Sequence, residues 1–132
     1  MSTVTIICIA LMGILLFLLG ANVTRHRALT GKAGGNQMPT DPAAPLLIAV
    51  RAHGNAAEYI PTMIVLLLVC SALSDSWWVD VLAVAALFVR TVHAAGMLTS
   101  KTLAAHGPLR DVGAMGTYLV GITLGITAIA TI

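Results

Sequence analysis

Residues 46–73 read LLIAVRAHGNAAEYIPTMIVLLLVCSAL, a run interrupted in its first half by Arg51, Asn55 and Glu58. A bilayer's hydrocarbon core takes about 20 apolar residues in a helix, so this stretch is long enough to cross one. Three more stretches qualify, at residues 4–23, 77–98 and 112–132. Over the 132 residues, 58% are apolar and only 9% charged, with a mean hydropathy of +0.96. A water-soluble domain is about a quarter charged, which excludes that class. A membrane β-barrel would need alternating segments of about ten residues, and none is visible. The expected fold is all-α, an integral membrane four-helix bundle. Residues 1–132 are read as one domain, because a two-helix fragment could not shield its polar residues from lipid.

No basic residue precedes the first apolar run, and NVTRHR at residues 22–27 lacks a small-residue cleavage pattern, so the first span is read as a retained helix. Loop Lys and Arg mark the cytoplasmic side. Arg25, Arg27 and Lys32 fall in the first loop and Lys101 and Arg110 in or beside the third, whereas SDSWWVD at residues 74–80 holds Asp75 and Asp80 and no base. Both termini are therefore expected outside the cytoplasm, with Trp77 and Trp78 in the outer aromatic belt. The loop TGKAGGNQMPTDPAAP, residues 30–45, is turn-forming chain that ends in a proline suited to a helix start. Its GKAGGN lacks the spacing and Lys-Ser/Thr end of a phosphate-binding loop, and no nucleotide or nucleic-acid partner is expected. Gly113, Thr117, Gly121 and Gly125 recur every four residues, a small-residue face for close helix packing within the bundle or between subunits. Cys8 and Cys70 are read as buried small apolar residues, although both fall near the outer ends of their spans, where a bridge is conceivable.

The polar residues of the second span share a face. At 3.6 residues per turn, Asn55 lies about 40° to one side of Arg51 and Glu58 about 20° to the other, with Thr62 on the same strip and His53 nearly opposite. Counted from Pro45, Arg51 is about 9 Å and Glu58 about 20 Å along the helix, too deep for the glutamate to reach water by snorkelling. Intramembrane charges are costly and normally pair or line a polar cavity. The third span carries VRTVHAAGM at residues 89–97, in which Arg90 and His93 share a face at an overlapping depth. The two polar faces are expected to meet. Arg25, Arg27 and Arg110 fall at the same end, and only Glu58 and Asp111 are placed to offset five arginines. Such a surplus suits an anion, since guanidinium offers carboxylates a planar, always-charged fork of donors. The alternative is that Arg25, Arg27 and Arg110 set topology alone while Arg51 and Glu58 form a buried pair. One histidine and one carboxylate among arginines do not make a metal site, and no metal is expected.

The pattern Arg51-x-x-x-Asn55-x-x-Glu58, Arg90-x-x-His93 on the third span and Arg110 opening the fourth resembles the MAPEG family, the membrane-associated proteins in eicosanoid and glutathione metabolism. RAHGNAAEYIP at residues 51–61 is its most specific element and is most similar to the small bacterial branch. The resemblance implies a homotrimer of four-helix protomers in the bacterial inner membrane, with glutathione as cosubstrate at each subunit interface near the cytoplasmic face. It implies that Arg25, Arg51, Asn55, Glu58, Arg90 and His93 bind glutathione and that Arg110 stabilises its thiolate. Three positions depart from the family's enzymes. Gly54 stands where several have another arginine, and Met97 and Ala114 where tyrosines are common; Tyr59 and Tyr118 are the tyrosines present.

The expected function is a glutathione-dependent membrane transferase, joining the thiolate to an apolar electrophile that enters from the bilayer, with peroxidase activity toward lipid hydroperoxides as a related reaction. Arg110 favours this chemistry. The alternative is a non-catalytic binding or scaffold protein whose cavity holds glutathione, lipid or a partner helix, and the absent tyrosines favour that. Small-solute transport is disfavoured, because the spans lack paired broken segments.

Overall fold

The computed structural model describes residues 1–74 and 76–132. Asp75, one of the two aspartates expected in the outer loop, lies outside the described residues. The chain forms four helices: α1, Thr3–Lys32; α2, Pro45–Leu73; α3, Trp77–Leu98; and α4, Pro108–Ala130. All four are long and apolar enough to span a membrane, and no strand occurs among the described residues.

Each helix starts where its residues dictate. The Ser2 hydroxyl accepts from the Thr5 amide at 3.1 Å and the Ser76 hydroxyl from the Trp78 amide at 3.3 Å, as N-caps of α1 and α3. Pro45 and Pro108 open α2 and α4, where a missing N–H costs nothing. α1 continues well past its apolar run to Lys32, because residues 24–30 contain neither glycine nor proline. It ends at a turn in which Gly34 takes φ +68°, a conformation glycine adopts without steric penalty. α4 begins four residues before its apolar stretch, so Arg110 lies in its first turn. Pro61 stands inside α2; with no N–H it leaves the Ala57 carbonyl without its usual intrahelical donor.

α2 and α3 form the centre. α1 packs on both, α4 packs on both from another side, and α1 and α4 do not touch among the described residues. The core joins Met12, Ile60, Leu67 and Leu124 with small residues such as Ala52, Ala56, Ala83 and Ala86, all almost fully buried. The alanines allow helices to approach closely, where packing rather than hydrophobic transfer drives association. Cys8 and Cys70 are free and buried, and the Cys70 thiol donates to the Leu124 carbonyl at 3.6 Å. Phe17, Phe88, Leu119, Ile122 and Ile129 are exposed on the outside of the bundle, as lipid-facing positions are.

Two ties set the ends. The Leu103 amide donates to the Pro42 carbonyl at 2.9 Å, joining the first and third loops on one side. At the other side Ser2 donates to the Asp80 carboxylate, and the Thr5 hydroxyl donates to it at 2.7 Å. Trp77 and Trp78 are exposed there and meet edge to face at 5.9 Å.

Candidate functional site

The polar faces of α2 and α3 meet at one pair. Arg90 Nη2 donates to Asn55 Oδ1 at 2.7 Å, while Nη1 donates to Thr117 Oγ1 on α4 at 3.0 Å. The guanidinium carbon stands 5.4 Å from the centre of the Tyr59 ring, a cation–π distance. Tyr59 packs in turn against Tyr118, ring centres 5.9 Å apart. Arg90 is only 1% exposed, and its Nε has no hydrogen-bond partner among the described residues. Helices α2, α3 and α4 thus close around one buried cation held by a carboxamide, a hydroxyl and a ring face.

The rest of the α2 strip faces outward. Arg51, Glu58 and Thr62 are exposed on the protomer, and Arg51 and Glu58 form no ion pair with each other among the described residues. The angular order along α2 accounts for this. Asn55 is the edge turned to α3, and Glu58 lies about 60° away on the other edge. Arg25 is likewise exposed, on the last turns of α1. His53, opposite the strip, faces α1, with its Nε2 3.3 Å from where a Cβ on Gly20 would stand.

His93 and Arg110 meet through the backbone. The His93 ring Nδ1 donates to the Arg110 carbonyl at 3.0 Å, so in the neutral ring Nε2 is the acceptor. Two glycines make this approach possible: a Cβ on Gly113 would stand 2.5 Å from the His93 Cα, and one on Gly96 2.5 Å from the Arg110 nitrogen. The half-buried Arg110 side chain lines a cavity of about 220 Å³ with Ser100, Lys101, Thr102 and His106 of the third loop. Its Nη1 donates to the Leu103 carbonyl at 3.4 Å, longer than the usual range and weak. His106 lies 3.4 Å from Asp111, both at the surface.

A separate groove of about 290 Å³ opens between α2 and α4, walled by Tyr59, Met63, Leu66, Thr117, Tyr118 and Ile122. It is apolar and adjoins the partners of Arg90. Met97 is buried in the core, and Ala114 is half-buried on α4.

With this arrangement in place, comparison with known families gives one match. A model of the MAPEG family covers residues 5–130. The chain belongs to the MAPEG family. No curated protein and no solved structure matches it. As a MAPEG protein it is an integral membrane four-helix chain with a function of the glutathione-related kind that the family carries in general. Two features of this MAPEG site were not legible in the sequence. Thr117 reads as one more small residue in a glycine stripe, yet it is the hydroxyl that accepts from Arg90. Tyr59 neighbours Glu58 in the chain, but its ring turns toward the buried guanidinium.

Proposed function

We propose that the protein is a glutathione-dependent membrane transferase that joins the glutathione thiolate to an apolar electrophile arriving from the bilayer. The observation that carries this is the α2 strip, which offers the Arg51 guanidinium and the Glu58 carboxylate on its outward face, with the half-buried Asn55 carboxamide at its inner edge. Glutathione bears two carboxylates for cationic or N–H donors and one ammonium for Glu58. Arg51, Glu58 and Arg25 are exposed on the protomer, which supports a homotrimer with a neighbouring subunit completing each site. Arg110, loosely held at the head of α4, supplies the cation that favours thiolate over thiol; the thiol proton leaves to water. The apolar groove beside Tyr59 and Tyr118 gives the electrophile a lateral route, and holding both reactants together removes much of the entropic barrier. The proposal includes a bacterial inner membrane with both termini outside the cytoplasm.

Isothermal titration of the detergent-solubilised protein with glutathione, with thiolate absorbance followed in parallel, tests this. Binding with a thiolate signal is expected. Binding without it would favour the second reading, a non-catalytic cavity, which Met97 and Ala114 at two common tyrosine positions also favour. No binding at millimolar glutathione in assembled protein would remove the glutathione site altogether.

A double variant, Arg51→Leu with Glu58→Leu, is expected to fold and assemble normally, because neither side chain has a hydrogen-bond or ion-pair partner among the described residues. It should lose glutathione binding by about a hundredfold or more, since each charged hydrogen bond contributes about 1.5–3 kcal/mol. A folded double variant that binds like the parent would make the strip structural.

A further inference from the structure

Arg90 has no route to a ligand that does not displace part of the core. It is 1% exposed, assembly with other subunits can only bury it further, and no carboxylate stands within ion-pair distance among the described residues. Two of its nitrogens are committed, Nη2 to Asn55 Oδ1 at 2.7 Å and Nη1 to Thr117 Oγ1 at 3.0 Å. The Thr117 hydroxyl is itself held, donating to the Gly113 carbonyl at 2.7 Å.

This fixes the polarity of the neighbouring strip. Arginine carries five N–H donors and no acceptor, so Asn55 must turn its oxygen to Arg90 whichever way a carboxamide is built. Its Nδ2, with two N–H donors and no acceptor among the described residues, is therefore on the side of the carboxamide away from Arg90, in a half-buried residue. We infer that Arg90 is a positioning residue, anchored by Thr117, which locks the Asn55 carboxamide so that the site presents N–H donors and receives an acceptor oxygen, a carboxylate or carbonyl, at the level between Arg51 and Glu58. The identity of the ligand rests on the proposed glutathione site; the orientation of the carboxamide does not. An unlocked Asn55 would flip between donor and acceptor and discriminate poorly, whereas the locked one rejects an ammonium at that point. Glu58 is then the carboxylate of the strip and the group suited to an ammonium, so the order of charged ligand groups along α2 is set by a residue the ligand never touches.

The chain has three asparagines, Asn22, Asn36 and Asn55, so protein labelled with ¹⁵N at asparagine gives three side-chain amide pairs by NMR in detergent micelles. The pair that vanishes in Asn55→Asp is that of Asn55. In ligand-free protein, Arg90→Leu and the gentler Arg90→Lys should both shift that pair and leave the other two in place. Thr117→Val should shift it in the same direction, and Thr117→Ser should restore it. An Asn55 pair unmoved in both Arg90 variants, each with parental helicity, overturns the inference, and does so whether or not glutathione binds. In glutathione titrations, Asn55→Ala and Arg90→Leu should each weaken binding about tenfold. The double variant should be within about twofold of Asn55→Ala alone, as for residues acting through one contact. Losses that multiply would put Arg90 on the ligand and overturn the positioning role. Absence of glutathione binding in the parent would sink the proposed function, and the ligand-free amide spectra would still decide what Arg90 does.

Discussion

Arg110→Ala should slow glutathione conjugation about thirtyfold at pH 7 while leaving the assembled protein intact. A free thiol with pKa about 8.5 is only a few per cent thiolate at pH 7, and a neighbouring cation lowers that pKa by favouring the charged form. Removing the cation returns the thiol to its solution behaviour, which gives the factor. The sign of the pH dependence follows. The parent's rate should be nearly flat through neutrality, whereas the variant's rate should rise about tenfold per pH unit and level off only above about pH 8.5. Assembly should survive because the Arg110 guanidinium contributes one long hydrogen bond, 3.4 Å to the Leu103 carbonyl, and the His93 contact uses the backbone carbonyl, which alanine keeps. Steady-state rates from pH 6 to 9 check this. A parent-like rate and pH profile would take the thiolate role away from Arg110.

Gly113→Ala should destabilise the protein by about 1–3 kcal/mol, the usual range for overpacking. An exposed helical glycine behaves in the opposite way, gaining about 1 kcal/mol on becoming alanine. At Gly113 the new methyl would meet the His93 backbone at 2.5 Å, and backbone cannot swing aside as a side chain can. α4 would have to move off α3, stretching the bond from His93 Nδ1 to the Arg110 carbonyl. Gly125→Ala is the control, since nothing stands within 4 Å of a Cβ there in the protomer. Thermal unfolding in detergent should show a drop for the first variant and none for the second. Equal stability of Gly113→Ala and the parent would mean that the α3–α4 approach is looser than its geometry implies.

That contrast marks how far the sequence could be read. Gly113, Thr117, Gly121 and Gly125 form one stripe by spacing, and spacing treats them alike. Packing separates them: Gly113 lies against backbone, Thr117 holds a cation, Gly121 meets Met63 at an ordinary 3.9 Å and Gly125 meets nothing. The spans were legible because a bilayer demands long apolar runs, and Arg110 was legible as the opening of the fourth; the extension of α1 to Lys32 was not, because residues 24–32 carry helix without the apolar signal. The meeting of α2 with α3 was legible from the overlapping depths of the strip between Arg51 and Glu58 and of Arg90 and His93. Which edge of the strip would turn inward depends on the rotation of α2 about its axis, and the strip alone does not fix it; the buried face carries Ala52 and Ala56. Asn55 went in; Arg51 and Glu58 stayed out.

The buried guanidinium also bears on how the chain is made. Asn55 emerges during synthesis before Arg90, but Thr117 emerges after it, so α3 must be handed to the bilayer while one of its arginine's two hydrogen-bond acceptors does not yet exist. A central arginine carries an insertion penalty of about 2.5–3.5 kcal/mol, and Asn55 alone offsets only part of it. α3 should therefore linger at the insertion machinery until α4 has been translated, and the two should enter the lipid together as a hairpin. Truncation after α3 would then leave a nascent chain whose Arg90 lacks the Thr117 hydroxyl that holds it in the finished bundle.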